Sequence, residues 1–315
     1  YRDIKKGWKE IRRIENQIRD DILDKTQVVC CTCIGSGNEI LDGRRFPQVL
    51  IDEATQATEP ASLVALTRGA RQVVLVGDHK QLPPTVISFR AEEKGLRRSL
   101  FERLVGLGIE PLLLSTQYRM HPAISKFPNQ HFYSNKLNDG VKAENRPSPA
   151  GLLWPDWDNP VAFIPVDGGE VVSPDGTSRE NPAEVAWVIK ILNDILEAGE
   201  ITKKDIGIIT PYAGQVRAIR NSMSEKLDDV EVKTVDGYQG REKEVIIFSC
   251  VRSNPEQNIG FLSEMRRLNV ALTRAKRGLI VIGDPSTLRG DKNWQAWLEY
   301  VRDSKFEAWH LLGMN

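Results

Sequence analysis

Short apolar runs alternate with amphipathic stretches along most of the chain. Such runs, bounded by polar segments, are typical of strands buried in a parallel sheet, and the stretches between them are typical of helices. The chain opens differently, because residues 3–24 carry apolar side chains at helical spacing among many charges. These positions predict one long amphipathic helix: Ile4, Trp8, Ile11, Ile14, Ile18 and Ile22.

The first part of the chain after this helix predicts three or four strands. We expect them to begin at Val28 and to run over Val49–Ile51, Gln72–Val76 and Pro111–Ser115, with a helix at 91–106. Alternation of apolar runs and helical stretches is the pattern of βα units, so these strands predict a parallel sheet.

The same alternation returns in the second part of the chain. Residues 123–180 are rich in Pro, Gly, Asn and Asp, which indicates irregular connections around a strand at Val161–Val166. The strands expected beyond it are Ile206–Thr210, Val230–Val235, Val245–Cys250 and Leu279–Ile282, and the helices are Glu184–Leu196, Gly214–Leu227, Met265–Lys276 and Trp294–Val301.

Composition narrows the class of protein. The chain has 315 residues, 40% of them hydrophobic and 27% charged, with no long apolar span and no secretory leader, so we expect about two globular domains and no membrane partner. Because 43 basic residues balance 43 acidic ones, net charge does not indicate a nucleic-acid partner. Four cysteines lack the spacing of a zinc site; interpreted as buried, reduced strand residues, they indicate the cytoplasm, or alternatively the nucleus.

Two acids at the end of a predicted strand are the strongest chemical signal. Asp52 and Glu53 directly follow the apolar run Val49–Ile51. At the carboxyl end of a buried parallel strand, Asp52 could hold Mg²⁺ while Glu53 orients or deprotonates a water, as in the Walker B element of nucleoside-triphosphate motors. An Asp-Glu pair alone also fits an ordinary strand that leads into a helix, so the interpretation depends on other motifs.

Four further blocks accompany this pair in a fixed order. They are Gly77-Asp78-His79-Lys80-Gln81-Leu82-Pro83-Pro84, Gln117-Tyr118-Arg119-Met120-His121-Pro122, Thr234-Val235-Asp236-Gly237-Tyr238-Gln239-Gly240-Arg241-Glu242 and Leu268-Asn269-Val270-Ala271-Leu272-Thr273-Arg274-Ala275. With these blocks the chain resembles superfamily 1B helicases from about Gln27 to about Asp284. It most resembles the up-frameshift RNA helicases of nonsense-mediated decay, with senataxin and the immunoglobulin-mu-binding-protein helicases as near relatives.

The resemblance implies an α/β fold of tandem RecA-like P-loop NTPase domains with parallel sheets. It implies a helical segment at 1–25 that ends an insertion, the carboxyl-terminal part of a first domain at 26–116, and a second domain at 117–315. A P-loop requires Gly-Lys, and no lysine in this sequence follows a glycine directly. We therefore expect the first domain to be incomplete and the chain to be a fragment, inactive alone; a natural pseudo-helicase is the alternative.

The resemblance also implies roles in binding and hydrolysing ATP with Mg²⁺. Asp52 would be the metal ligand, Glu53 the base, and Gln81 the sensor of the γ-phosphate. Arg119 and Arg274 would act as arginine fingers, because a planar guanidinium can bind the charge that develops on phosphoryl oxygens. Two further residues would bind nucleotide: Glu242 the ribose hydroxyls, and Tyr118 by packing.

Nucleic acid would be bound at strand ends through its phosphates. Thr210, Pro211 and Gln215 lie where a strand ends and a helix begins, a position suited to phosphate binding, and Thr32 and Thr234 lie at the ends of two other predicted strands. Contacts of this kind recognise the backbone and not the base sequence, as a translocating motor requires.

These expectations together describe an ATP-dependent helicase or translocase on single strands, RNA in first place, moving 5′ to 3′ with hydrolysis at a cleft between domains. Decay or repair factors would be further partners. A DNA helicase of the same superfamily, and a non-catalytic scaffold that binds RNA or protein, are the alternatives that the sequence leaves open.

Overall fold

A computed structural model describes residues 2–312 and divides them into two compact units. Unit 1 comprises residues up to Asp78 together with Pro83–Leu107, and unit 2 comprises His79–Leu82 together with residues from Gly108 onward. The predicted boundary at 116/117 therefore falls within unit 2. Tyr1 and residues 313–315, which the predicted segments 1–25 and 117–315 include, lie outside the described residues.

Unit 1 contains a two-stranded parallel sheet. Its elements are α1 (Arg2–Lys25), β1 (Gln48–Ile51), α2 (Glu59–Leu66), β2 (Gln72–Leu75), α3 (Phe89–Glu93) and α4 (Leu100–Gly106). Strands β1 and β2 pair with Val49 opposite Val73, and α2 connects them as parallel neighbours require. A small core of Ile51, Ala54 and Phe101 lies beneath them. The predicted helix α1 is confirmed, although its apolar side chains, such as Trp8, are exposed.

Three of the elements predicted for residues 26–116 are wrong. No strand forms at Val28 or over Pro111–Ser115 within residues 2–312, and side chains there such as Leu112 are 98% exposed. A strand is defined by backbone pairing, and no strand pair among the described residues includes either segment, although the Ser115 carbonyl accepts the Asn138 N–H at 2.7 Å. The predicted helix at 91–106 is two helices, because Gly95 takes a left-handed φ of 88° and Ser99 caps a new helix by accepting the Glu102 N–H.

Unit 2 contains a five-stranded parallel sheet. Its elements are β3 (Thr116–Gln117), α5 (Pro122–Phe132), β4 (Asn138–Asp139), β5 (Val161–Pro165), β6 (Val171–Val172), β7 (Arg179–Glu180), α6 (Pro182–Glu197), β8 (Ile206–Thr210), α7 (Ala213–Ser222), β9 (Glu231–Thr234), β10 (Lys243–Ser249), α8 (Met265–Leu272), β11 (Ala275–Gly283), α9 (Pro285–Leu288) and α10 (Lys292–Asp303). The main sheet has the strand order β5-β11-β10-β8-β9. Two short pairs, β3 with β4 and β6 with β7, lie outside it.

Successive residues of these strands contribute to cores on opposite faces of the sheet. Phe163 belongs to a core shared with α5, α8 and α10, whereas its neighbour Ala162 belongs to a core shared with α6 and α7. The same alternation occurs in β10, where Phe248 and Ile247 face opposite cores. Helices therefore cover both faces, and the predicted parallel α/β fold is confirmed.

Local chemistry moves several helix boundaries from their predicted positions in unit 2. Helix α5 forms inside the stretch predicted to be irregular, with Pro122 at its start and the His121 ring accepting the Ala123 N–H. Helix α8 ends at Leu272, where the sequence predicted Lys276, because Ala275 already begins β11. Helix α7 ends at Ser222, before the predicted Leu227. Among the described helices, none combines the length and apolar character of a membrane span.

The cysteines also differ from the prediction. Cys30 and Cys31 are exposed and Cys33 is half-buried, because the strand expected to bury them is absent from the described residues. Cys250 alone is buried, directly after β10.

A buried carboxyl group connects α6 to the end of β10. Glu184 has no exposed surface, and its carboxyl accepts the Ser249 hydroxyl at 2.6 Å and the Val251 N–H at 2.9 Å. Val251 has a left-handed φ of 74° and lies in a tight turn closed by the Arg252 N–H and the Cys250 carbonyl. Burial raises the pKa of Glu184 to about 8, against the hydrogen bonds from Ser249 and Val251, which lower it.

This shift predicts a loss of stability with rising pH. In the unfolded chain the Glu184 carboxyl has its ordinary pKa of 4.5 and is ionised above that pH. In the folded chain it keeps its proton up to about pH 8. The stabilisation is therefore present at low pH and is lost as the pH rises through that window. Relative to Glu184→Gln, the unfolding free energy of the wild type should fall by up to about 1.4 kcal/mol per pH unit between pH 4.5 and about pH 8.

Urea unfolding of both chains at several pH values measures this difference. Glu197→Gln, an exposed position on the same helix, is the matched control and should follow the wild type. Parallel stability curves for wild type and Glu184→Gln would contradict a protonated Glu184.

Candidate functional site

Unit 1 presents the two predicted acids at the end of β1. Asp52 and Glu53 are both exposed, and the Glu53 N–H donates to Asp52 Oδ1 at 2.9 Å. Glu53 has a φ of 50°, a left-handed conformation that is uncommon for residues other than glycine and that often marks functional sites. Gln56 donates its side-chain amide to Glu53 Oε2 at 2.7 Å and so positions that carboxylate.

The acids fit the demands of Mg²⁺ bound together with a nucleotide. Mg²⁺ in such sites takes one or two carboxylates and fills its other positions with water and phosphate oxygens. Asp52 offers an exposed carboxylate at the carboxyl edge of a parallel sheet, which fits this donor set. Residues 2–312 contain no cluster of three or more His, Cys, Asp and Glu side chains that would hold a metal by themselves.

Unit 2 brings together four residues predicted from separate sequence blocks. They lie at the end of the sheet where β10 and β11 begin, which we call the amino edge. Arg119 donates to Glu242 at 2.6 Å and to the Thr273 carbonyl at 3.0 Å. Arg274 donates to the Thr273 hydroxyl at 2.7 Å and to the Gln81 side chain at 3.4 Å. Arg119, Glu242, Arg274 and Gln81 therefore form one cluster within unit 2.

The two arginines of this cluster differ in their surroundings. Arg274 is only 2% exposed and also donates to the Val270 carbonyl, which fixes its guanidinium against α8. Arg119 is partly exposed and its main contact is the ion pair with Glu242. Burial alone would raise the pKa of Glu242, but the hydrogen bond and charge of Arg119, with those of Lys276, hold it below its ordinary value.

Tyr118 lies beside this cluster and is exposed. Its ring lies so close to Gly140 that a side chain there would collide with it. The predicted role in packing against a nucleotide stays a prediction.

The residues predicted to bind nucleic acid are divided between surface and interior. We call the other end of the unit 2 sheet, where β8, β9 and β10 end, the carboxyl edge. Pro211 and Thr234 lie there at partly exposed positions, and Thr32 is exposed in unit 1. Thr210 is buried with an unpartnered hydroxyl, and Gln215 is buried with its side chain bonded to Ser249 and to the backbone of Asn181. This placement assigns the Gln215 side chain to the interior of unit 2.

Several positioning residues were not predicted from the sequence. Asn269 donates its amide to the Lys80 carbonyl at 2.9 Å and to the Tyr133 hydroxyl at 2.8 Å, and so holds the segment that carries Gln81. Lys276 pairs with Glu242 at 3.2 Å. The basic run at 274–277 contained a signal for Lys276, whereas the sequence carries no signal for the contacts of Asn269.

Comparison with known proteins identifies the family. A family model described as an AAA domain matches residues 96–286, more than half of the chain, and a second model with the same description matches residues 1–89. The chain belongs to the AAA domain family.

Named relatives of this AAA domain chain confirm the resemblance to the up-frameshift helicases. "Regulator of nonsense transcripts 1 homolog" of Neurospora crassa is 46% identical over 94% of this chain and 28% of its own length. The protein of the same name from Drosophila melanogaster is 45% identical over 94% of this chain and 26% of its length. "ATP-dependent helicase NAM7" of Saccharomyces cerevisiae is 44% identical over 96% of this chain and 31% of its own length. The chain thus spans less than a third of the length of these relatives.

A solved structure shows a weaker likeness. "The structure of PRRSV helicase" aligns with 78% of this chain and 37% of its own at 18% identity, with a TM-score of 0.40.

The contacts of Asn269 predict a cost in stability. Asn269→Ala removes the donor to both the Lys80 carbonyl and the Tyr133 hydroxyl, and it should lower the unfolding free energy by about 1 to 3 kcal/mol. Tyr133→Phe leaves the bond to Lys80 intact and should cost less than half as much. Urea unfolding measures both variants, and equal losses would contradict a role for Asn269 in holding Lys80.

Proposed function

We propose that the protein is an ATP-dependent helicase or translocase that acts on single-stranded nucleic acid. The observation that carries this proposal is the cluster in unit 2, in which Arg119, Glu242, Arg274 and Gln81 come from four distant blocks. Two cationic side chains beside a glutamine and a carboxylate suit a triphosphate whose charge has to be stabilised during transfer. One relative is named an ATP-dependent helicase, and this name also supports hydrolysis of ATP as the reaction.

In this proposal unit 1 supplies the groups that act on water. Glu53 orients the attacking water and accepts its proton, and the amide of Gln56 keeps the Glu53 carboxylate in place. Asp52 is the residue that would hold Mg²⁺, which when bound neutralises charge on the phosphates. The left-handed backbone at Glu53 sets the direction in which this carboxylate leaves the strand.

The two arginines supply charge stabilisation. A guanidinium binds two phosphoryl oxygens at once, and an arginine finger contributes about 10³- to 10⁵-fold to the rate in enzymes of this kind. Glu242 is the group that we assign to the ribose hydroxyls, in exchange for its contact with Arg119. Gln81, held through Lys80 and Asn269, is positioned to detect the loss of the γ-phosphate.

RNA is the substrate that we propose first, with movement from 5′ to 3′ and action in the cytoplasm. Relatives of this chain carry the name of regulators of nonsense transcripts, which favours RNA over DNA and decay factors as partners. We also propose that the 315 residues alone do not hydrolyse ATP, because their sequence lacks the Gly-Lys pair of a P-loop.

Hydrolysis of ATP stimulated by single strands tests the proposal. The protein at its full natural length should hydrolyse ATP faster with poly(U) than alone, and the comparison with oligo(dT) ranks RNA against DNA. Glu53→Gln should abolish turnover and retain nucleotide binding, because the amide keeps the shape of the side chain but cannot accept the proton. The control is Glu39→Gln, an exposed acid in unit 1. Absence of turnover with either strand would refute the helicase and favour a scaffold.

Arg274 should be sensitive even to a conservative change. Arg274→Lys retains the charge but loses the planar fork, and kcat for ATP should fall by about 10³-fold or more with a smaller change in KM. Arg277→Lys is the matched control, because Arg277 contacts the Pro147 carbonyl and Glu200, away from the cluster. A drop below about tenfold for Arg274→Lys in steady-state kinetics would contradict its role as a finger.

A further inference from the structure

One large aromatic side chain at the carboxyl edge of unit 2 is not explained by packing. Phe261 is 58% exposed, although its neighbour Leu262 is buried in the core. It lies in the loop that follows β10, close to the loops that follow β8 and β9. An exposed aromatic ring presents a flat face on which another ring can stack.

The Phe261 ring contacts two side chains, Arg267 and Tyr212, which relate it to the loops after β9 and β8. The guanidinium of Arg267 lies over the ring at 5.4 Å from its centre, and Arg267 also bonds Asp236, in the loop after β9, at 3.2 Å. Tyr212, in the loop after β8, lies 5.5 Å from the Phe261 ring at an angle of 43°. The exposed ring is therefore beside a cation and near the ends of β8 and β9, where we predict that Pro211 and Thr234 bind nucleic acid.

The backbone holds Phe261 rigidly in this exposed position. Gly260 has a left-handed φ of 53°, and a side chain at this residue would collide with Arg252 and Tyr212. The Tyr212 hydroxyl accepts the Phe261 N–H at 3.3 Å, and Asn258 accepts the Gly260 N–H at 3.0 Å. A ring that is ordered in advance loses little conformational entropy when a flat partner stacks on it.

The beginning of this loop is held by a buried ion pair. Arg252 donates to Glu170 at 2.6 Å and to the Tyr212 hydroxyl at 3.2 Å, and both charged side chains are almost fully buried. The Ser253 N–H also donates to Glu170 at 3.0 Å. The loop is thus supported from inside while the Phe261 ring remains outside, an arrangement suited to a preformed binding element.

We propose that Phe261, with Arg267 beside its ring, is a stacking site for a nucleobase of the bound single strand. The inference rests on the proposed function and deepens it, because the contacts assigned so far reach only the backbone. Aromatic stacking accepts every base and contributes about five- to a hundredfold in affinity per base. The positive charge of Arg267 adds attraction for the same stretch of nucleic acid.

Strands with and without bases separate this site from backbone contacts. The protein at its full natural length is titrated with a fluorescent oligo(U) and with an abasic strand of equal length, without ATP. Phe261→Ala should weaken binding to oligo(U) by about five- to a hundredfold and change binding to the abasic strand less than about twofold. Phe261→Trp should restore oligo(U) binding, because it supplies another ring.

The controls distinguish the failure of this inference from that of the proposed function. Trp157→Ala removes another exposed aromatic of unit 2, 56% exposed, and should bind both strands like the wild type. An equal loss on both strands for Phe261→Ala, or no loss on either, would overturn the stacking site while wild-type binding and strand-stimulated hydrolysis remained. A wild type that binds neither strand and hydrolyses no ATP would instead refute the proposed function.

Discussion

The loop that follows β10 depends on the buried contact between Glu184 and Val251. A left-handed backbone costs about 1 to 3 kcal/mol at residues other than glycine, and valine is a poor candidate because its side chain is branched at Cβ. The conformation persists because the Glu184 carboxyl accepts the Val251 N–H and is itself held by Ser249. Turning the chain at this point sends Arg252 to its partner Glu170 inside the unit. The loop that carries Phe261 begins at this turn.

Strand β10 joins the two ends of the candidate site. Glu242 directly precedes its first residue and Val251 lies just beyond its last, so the cluster proposed to bind nucleotide and the loops proposed to bind nucleic acid lie at opposite ends of one strand. Its seven residues span about 23 Å, and the strand is hydrogen-bonded to β8 on one side and β11 on the other. A central strand so constrained cannot bend easily. In the proposed function this strand would connect nucleotide binding at the amino edge with nucleic-acid binding at the carboxyl edge.

The sequence predicted the five strands of the unit 2 sheet. Four of them contain continuous apolar runs that are buried on both faces, whereas the edge strand β9 alternates polar and apolar residues and buries only Val232. The prediction failed at Val28 and at Pro111–Ser115, since an apolar run carries no information on whether another strand lies beside it. The contact of Arg119 with Glu242 joins residues 123 positions apart, and only the family resemblance placed both in one site. The burial of Glu184 had no sequence signal, because a glutamate in the first turn of an amphipathic helix is usually a solvated group that suits the helix dipole.

The two arginines of the cluster are suited to different tasks by their surroundings. The ion pair of Arg119 with Glu242 is partly exposed to solvent on both sides, and such pairs contribute only about 1 kcal/mol or less. Exchange of the Glu242 carboxylate for a phosphate oxygen would therefore cost little, although Arg119 also donates to the Thr273 carbonyl. Arg274 is enclosed by Val270, Thr273 and Gln81, and loss of hydrogen bonds to a buried charged group costs considerably more. In the proposed function Arg274 would therefore provide the fixed charge, and Arg119 the charge that exchanges Glu242 for a bound nucleotide.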